Sequence, residues 1–336
     1  MKILYLRPYP GEEQIVIDSL SGHEVIFADS LEEVTATDIT SAEAVSVFVD
    51  IELRQDFLEQ MSNLKLIATR SAGFDHVDVG FAKDKGITVC RVPHYGTRTV
   101  AEFAFALMFA LSRNAFRAYS DIRESADIDD LSTYEGFDLC GKTLGVIGTG
   151  AIGENVCQIA LGLGMSVLAT DPVEKDSLKK LSVKYVSLDE LLQQSDIVTL
   201  HVPAMEETQH LLNEDKLSLM KNSAYLINTS RGEVVDTRAL VKVLREKGLA
   251  GAGLDVLEGE KHLRDEMDLL LDTDVSLDEW RTLIADHTLI DMSNVIVTPH
   301  IAFNTKEAKH EITVITLDNI KRFTSGSLPE ANRVHD

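Results

Sequence analysis

Residues 143–172 read TLGVIGTGAIGENVCQIALGLGMSVLATDP, and this stretch limits the possible folds most tightly. An apolar run of strand length leads into Gly148-x-Gly150-x-x-Gly153. Apolar residues at helical spacing follow, and a second apolar run ends on Asp171. Such glycines alone often mark only a tight turn. In the order strand, glycine turn, helix, strand they mark a β–α–β unit that holds a dinucleotide. Gly148 permits the turn, Gly150 lets a pyrophosphate approach the backbone, and Gly153 lets helix close on strand. Ala151 and Ile152 open the helix, whose unpaired amides and partial positive charge suit phosphate oxygens. Asp171 lies about twenty residues on, where a carboxylate accepts hydrogen bonds from the adenosine ribose. It would repel a 2′-phosphate, and the following PVEKDS has no arginine to offset that. The expected cofactor is NAD rather than NADP.

A chain of 336 residues exceeds what one hydrophobic core sustains, so two domains are expected. Short β-rich runs alternate with helix-length segments. KILYL, EVIFA, AVSVFV and LKLIAT read as strands in the first hundred residues, with helical patterns such as RQDFLEQM between them. TLGVIG, SVLATD, IVTLHV, AYLINT, GAGLDV and NVIVTP form a second series. This alternation predicts an α/β chain with doubly wound parallel sheets covered on both faces. Between the series, TVAEFAFALMFALSRNAFRAYSDI predicts a buried helix, apolar on almost every face, with Thr99 and Glu102 as its capping box. Residues 261–291 break the rhythm: they are acidic and hold Trp280, the chain's one tryptophan. Leu269, Leu270, Leu277, Trp280, Leu283 and Ile284 favour a partly packed helical segment there.

Bulk properties exclude several classes. A formal net charge of −23 argues against nucleic acid, which needs clustered Lys and Arg. A small anionic substrate would need a local site of arginine and backbone amides. The longest apolar run is too short for a membrane span. MKILYLRP has too short an apolar stretch for a secretory signal. Cys90, Cys140 and Cys157 lack CxxC spacing, which suits a reducing, cytoplasmic setting. No metal site is expected.

Three strand candidates of the second series end on residues with chemistry. AYLINTSRGEVVD carries Arg231, GAGLDVLEGE carries Asp255 and then Glu260, and NVIVTPHIAFN carries His300. Open α/β sheets bind ligands outside the carboxyl ends of their strands. Hydride transfer to a 2-keto acid builds negative charge on the ketone oxygen, which an imidazolium can protonate. A carboxylate beside the ring favours its charged form and sets its tautomer. A guanidinium fork can hold the substrate carboxylate. Singly, each residue has an ordinary structural explanation; jointly they predict a catalytic set.

GTGAIG, the HVP at 201–203, NTSRGEVVD, GLDVLEGE and TPHIAF together resemble the D-isomer-specific 2-hydroxyacid dehydrogenase family over essentially the whole chain. Within that family the closest likeness is to the D-lactate dehydrogenases. The resemblance implies that Arg231 binds substrate, Glu260 orients the histidine, and His300 is the acid/base. It implies that His201, Pro203, Thr229, Ser230 and Asp255 join the glycine turn in binding cofactor. ATRSAGFDHVD matches a loop whose amides grip the substrate carboxylate, here Ala72 and Gly73. Tyr95 and Phe303 match aromatics near the substrate, with core packing as the alternative for both. The resemblance further implies a flavodoxin-like substrate domain of residues 1–98 and 301–336. A Rossmann NAD-binding domain, 99–300, would be inserted into it, and the chain would form a homodimer.

One departure stands out. The loop after AVSVFV reads DIELRQ, without the tyrosine expected from lactobacillal lactate enzymes. Residues Phe48 to Leu53 would then shape a different pocket, leaving bulkier 2-keto acids open beside pyruvate. Activities on 3-phosphoglycerate, hydroxypyruvate, glyoxylate or phosphite remain alternatives. A non-catalytic NAD(H)-sensing corepressor is a further one. Formate dehydrogenase is disfavoured, because its pattern pairs the histidine with glutamine.

Overall fold

The computed structural model describes residues 1–93, 95–125, 130–260, 263 and 275–334. The chain divides into two compact units, Met1–Gly96 with Asn304–Asp336, and Thr97–Phe303.

In the first unit five parallel strands run in the order β2-β1-β3-β4-β5. They are β1 (Lys2–Leu6), β2 (Glu24–Ala28), β3 (Ala44–Val47), β4 (Leu66–Thr69) and β5 (Thr88–Cys90). Side chains alternate across a strand, and here both faces are covered. Leu4, Leu6, Val45, Val47 and Ile67 enter one cluster. Ile3, Tyr5, Ala44, Leu66 and Ala68 enter the other, where Leu317 and Ile320 of the helix Lys306–Thr324 cover them. Burial on both faces is why KILYL reads as a nearly unbroken apolar run. The predicted helix in RQDFLEQM is one turn only, Gln55–Leu58.

The second unit holds seven parallel strands in the order β12-β11-β10-β9-β6-β7-β8. These are β6 (Thr143–Ile147), β7 (Ser166–Thr170), β8 (Lys184–Tyr185), β9 (Ile197–Leu200), β10 (Tyr225–Asn228), β11 (Gly251–Leu254) and β12 (Val295–Val297). The order reverses between β6 and β9, which opens a crevice at their carboxyl ends. Both strand series expected from the sequence form. β5 and β8, of three and two residues, are additions too short to carry a pattern.

The apolar helix spans Thr97–Ser112 and buries Ala101, Ala104, Phe105, Leu107, Met108 and Leu111 against this sheet. Two expectations about it need correction. Thr99 and Glu102 lie inside the helix rather than at its cap, and Glu102 pairs with Arg98 one turn back at 2.8 Å. The helix also ends at Ser112; Asn114, in the left-handed region at φ 50°, separates it from the helix Ala115–Ser125.

Of the acidic stretch 261–291, Leu269 and Leu270 lie outside the described residues. Its latter part is the helix Leu277–Asp291, capped reciprocally by Ser276 and Glu279. Leu283 and Leu289 are buried there, whereas Leu277 and Ile284 are exposed and Trp280 is half-buried. Among the described residues no helix is long and apolar enough to cross a membrane.

Candidate active site

The glycine turn follows β6. Gly148 adopts φ 89°, and a Cβ there would lie 2.6 Å from the carbonyl oxygen of His201. A Cβ on Gly153 would meet the Gly148 oxygen at 2.0 Å, so any side chain there would push the helix Ala151–Gly162 off the turn. Gly150 faces open space, with nothing within 4 Å of its Cβ position. The turn is therefore tight where helix meets strand and open where a ligand would approach.

Asp171, just past β7, holds this turn from the side. Its carboxylate accepts the Thr149 amide at 2.6 Å and the Val173 amide at 2.8 Å. Lys175 lies four residues on, a cation that the lack of arginine in PVEKDS does not reveal. Its ammonium reaches the Gly150 carbonyl at 3.1 Å and Glu154 at 2.8 Å. Because Glu154 already balances that charge, Lys175 offers little to a 2′-phosphate, and the preference for NAD stands.

Across the switch point, His201 follows β9. Its Nε2 lies 2.9 Å from Thr199 Oγ1, while Nδ1 is buried without a partner. Burial pushes its pKa down to about 3, so the ring is neutral at ordinary pH. Thr229, past β10, also has a buried, unpartnered hydroxyl. Ser230 donates its amide and hydroxyl to Asn228 Oδ1. Pro203 is exposed, and its carbonyl accepts the Thr208 hydroxyl at 2.6 Å.

β10, β11 and β12 are neighbours, so their carboxyl ends carry three turns side by side. The first presents Arg231, whose carbonyl is tied to Asn228 Nδ2 at 2.8 Å and whose Nη1 donates to the Ser230 carbonyl at 2.8 Å. Gly232 lets this turn press on the next: a Cβ would sit 2.2 Å from the Leu257 carbonyl. Glu260 belongs to that second turn. His300 belongs to the third and takes φ 54°, a left-handed conformation uncommon outside glycine. Its Nδ1 lies 2.9 Å from Glu260 Oε1, with side chains 25% and 34% exposed. The ring is thus held from one side and partly open to solvent.

Asp255 accounts for the strained backbone. Its side chain accepts Thr298 Oγ1 at 2.6 Å, the Ile301 amide at 3.0 Å and the Ala302 amide at 2.8 Å; its carbonyl takes the His300 amide at 2.9 Å. Burial raises its pKa, against the pull of those donors and of nearby His300. The structure thus places Asp255 as the clamp of the His300 turn.

Ala72, Gly73 and Tyr95 lie in the first unit, whereas Phe303 closes the second. The 71–73 loop follows β4 and is held by Ser71 Oγ on the Gly73 carbonyl at 2.6 Å and the Val92 amide on Ser71 at 2.9 Å. Arg70, at the root of the loop, is fully buried and pairs with buried Glu12 at 3.0 Å. Glu12 also accepts Tyr5 Oη and Thr313 Oγ1, both at 2.6 Å. Nothing local in the sequence signals this ion pair, whose members are 58 residues apart. In the departing loop Phe48 meets Tyr9 edge-on at 5.8 Å, and Asp50 pairs with Arg7.

Residues 105–302 match the model for the NAD binding domain of D-isomer specific 2-hydroxyacid dehydrogenases. The D-lactate dehydrogenase of Escherichia coli is 39% identical over 310 residues, covering 91% of each chain. The chain belongs to the D-isomer-specific 2-hydroxyacid dehydrogenase family. A glyoxylate reductase of Korarchaeum cryptofilum is 36% identical over 288 residues, 85% of this chain and 80% of its own. Among solved structures, a D-lactate dehydrogenase from Aquifex aeolicus, in complex with NAD and lactic acid, superposes with a TM-score of 0.86. It is 37% identical, with 99% of this chain and 98% of that one covered. This dehydrogenase is an NAD-dependent oxidoreductase acting on 2-hydroxy acids. The chain's residues fit that cofactor: the space beside Gly150 is open, and Thr229 Oγ1 and His201 Nδ1 are buried polar atoms with no hydrogen-bond partner in the protein.

Proposed function

We propose that the protein is a D-lactate dehydrogenase that reduces pyruvate, with His300 as proton donor. The observation that carries this reading is the 2.9 Å contact of His300 Nδ1 with Glu260, one turn away from Arg231 on the same sheet edge. Bound NADH supplies the hydride. Glu260 accepts from Nδ1–H, which leaves Nε2 to deliver its proton to the substrate carbonyl oxygen and to recover it in the oxidation direction. Arg231 holds the substrate carboxylate with its planar fork. The family resemblance assigns the amides of Ala72 and Gly73 to a substrate carboxylate, and Tyr95 and Phe303 to substrate binding. Gly148, Gly150, Ala151, Ile152, Gly153, Asp171, His201, Pro203, Thr229, Ser230 and Asp255 bind NAD, and Asp255 also fixes the His300 turn. On this reading residues 1–98 and 301–336 form the substrate domain.

Similarity to the D-lactate dehydrogenases of Escherichia coli and Aquifex aeolicus supports lactate. The tyrosine missing from the loop Phe48 to Leu53 keeps bulkier 2-keto acids in the comparison. The deciding experiment measures kcat/KM for pyruvate, phenylpyruvate, oxaloacetate, hydroxypyruvate and glyoxylate with NADH. Pyruvate should rank first, and D-lactate rather than L-lactate should be oxidised. His300→Ala should lose on the order of 10²–10⁴-fold in kcat while still binding NADH. Tight NADH binding with no turnover of any keto acid would overturn the reading in favour of a redox sensor.

A homodimer is part of the same proposal. Phe109, Phe116, Tyr119 and Ile122, on the helices Thr97–Ser112 and Ala115–Ser125, are 44–62% exposed, an apolar group that suits a second copy. Sedimentation should show two chains per particle; a monomer at micromolar concentration would refute it. A cytoplasmic location fits three free cysteines, two of them buried.

A further inference from the structure

Glu260 directly follows the turn Glu258–Gly259, and turns hold catalytic geometry only when something rigid holds them. The helix Leu277–Asp291 supplies that base. It is capped by Ser276 and Glu279 and anchored by buried Leu283 and Leu289. From its inner face Asp286, with no exposed surface, accepts the Gly259 amide at 3.0 Å through Oδ2. Gly259 immediately precedes Glu260. The approach is close enough that a Cβ on Gly259 would lie 2.5 Å from Asp286 Oδ2. The other carboxylate oxygen, Oδ1, is buried with no partner.

As a stability device this arrangement makes little sense. A single neutral donor does not compensate a buried carboxylate, and Glu258 and Glu260 add like charge beside it. Together these push Asp286 up to about 7. An apolar side chain would serve the core better. Groups kept at such a cost gather where geometry matters to function. Neighbouring contacts fit that view: Glu258, on the other side of Gly259, is pinned by His210 Nε2 at 2.6 Å and by the Thr237 amide at 3.3 Å. The turn is thus held on both flanks of Gly259 while Glu260 reaches out to His300.

We propose that Asp286 is a positioning residue for proton transfer: its buried carboxylate holds the Gly259 amide and so fixes the turn that presents Glu260 to His300. This rests on the assignment of Glu260 and His300 as the proton-transfer pair. Asp286 touches neither substrate nor the reacting atoms; it acts through Glu260.

Four variants test it. Asp286→Asn keeps an acceptor for the Gly259 amide and should retain kcat within about threefold of the parent. Asp286→Leu fills the space but removes the acceptor, and should lose roughly 10- to 100-fold in kcat, the scale of a misplaced catalytic group, with NADH affinity unchanged. In a Glu260→Gln background the same Leu substitution should cost less than about twofold more, because coupled residues are not additive. Gly259→Ala forces the contact apart from the other side and should reproduce the loss, so it decides the matter if the Leu variant does not fold. Parental kcat in both Asp286→Leu and Gly259→Ala would overturn the proposal, as would full additivity with Glu260→Gln. The function itself is judged separately: if the parent turns over keto acids and His300→Ala does not, normal activity in the Asp286 variants sinks only the role of Asp286.

Discussion

Replacing Glu260 by Gln isolates the charge beside His300. Glutamine keeps the volume and still offers an oxygen to Nδ1–H, so the ring orientation survives while the negative charge is lost. At 2.9 Å, unit charges in an effective dielectric of 20 attract by about 6 kcal/mol. That figure is a ceiling, because the ring is 25% and the carboxylate 34% exposed. Water screens the pair, and the neutral hydrogen bond recovers part of the rest. The difference between a charge-assisted and a neutral bond, about 1–2 kcal/mol, is the better measure. It corresponds to a fall of roughly 5- to 30-fold in kcat/KM.

The equilibrium constant belongs to the reactants and not to the enzyme. With cofactor affinities unchanged, pyruvate reduction and D-lactate oxidation must therefore lose the same factor. Initial rates in both directions, with NAD and NADH dissociation constants from fluorescence, provide the assay. A Glu260→Gln enzyme within twofold of the parent in both directions would refute the claim that this carboxylate supports the imidazolium.

Other consequences follow from the same geometry. Arg231→Lys should raise KM for the keto acid, since one ammonium cannot copy the guanidinium fork; an unchanged KM would show that Arg231 does not hold substrate. Asp171→Ala should narrow the preference for NAD over NADP, and should also weaken both cofactors by about 1–3 kcal/mol because the Thr149 amide loses its acceptor. A normal NAD affinity would mean that the glycine turn holds its shape unaided. Asp286 makes stability depend on pH. Its folded pKa, about 7, lies above the ordinary aspartate value of 3.8, so the folded state binds the proton more tightly. Stability from this group is full below about pH 4 and is lost as pH rises through 7. Asp286→Asn, which does not titrate, should therefore be more stable than the parent at pH 8, by about 1–3 kcal/mol after allowing for its buried amide group, with the gap closing towards pH 4. Melting curves across that range check this, and a gap independent of pH would refute it.

Which parts of the site could be read from the sequence depends on where each residue's partners lie along the chain. Gly148, Gly150, Gly153 and Asp171 belong to one β–α–β unit, so spacing alone conveys their geometry. Arg231, Glu260 and His300 were recoverable because each follows an apolar strand, and parallel strands send their carboxyl ends to one edge. Their order in the sheet, β10-β11-β12, makes sequence neighbours into spatial neighbours. Residues that act across elements leave no such trace. Glu12 meets Arg70 only because β1 and β4 flank β3, and Asp286 meets Gly259 only once the helix Leu277–Asp291 has docked. The capping box expected at Thr99 failed for a different reason: the local pattern was present, but Thr97 and Arg98 can also be helical, and the helix extends until Gly96, at φ 60°, leaves helical geometry. Asp255 joins both kinds of information. Its position after β11 is a sequence feature, whereas the three donors it gathers from 298–302 arise from strand pairing. Those donors hold His300 in a left-handed conformation that its own residue type disfavours, so the imidazole is placed by the sheet and not by its local sequence.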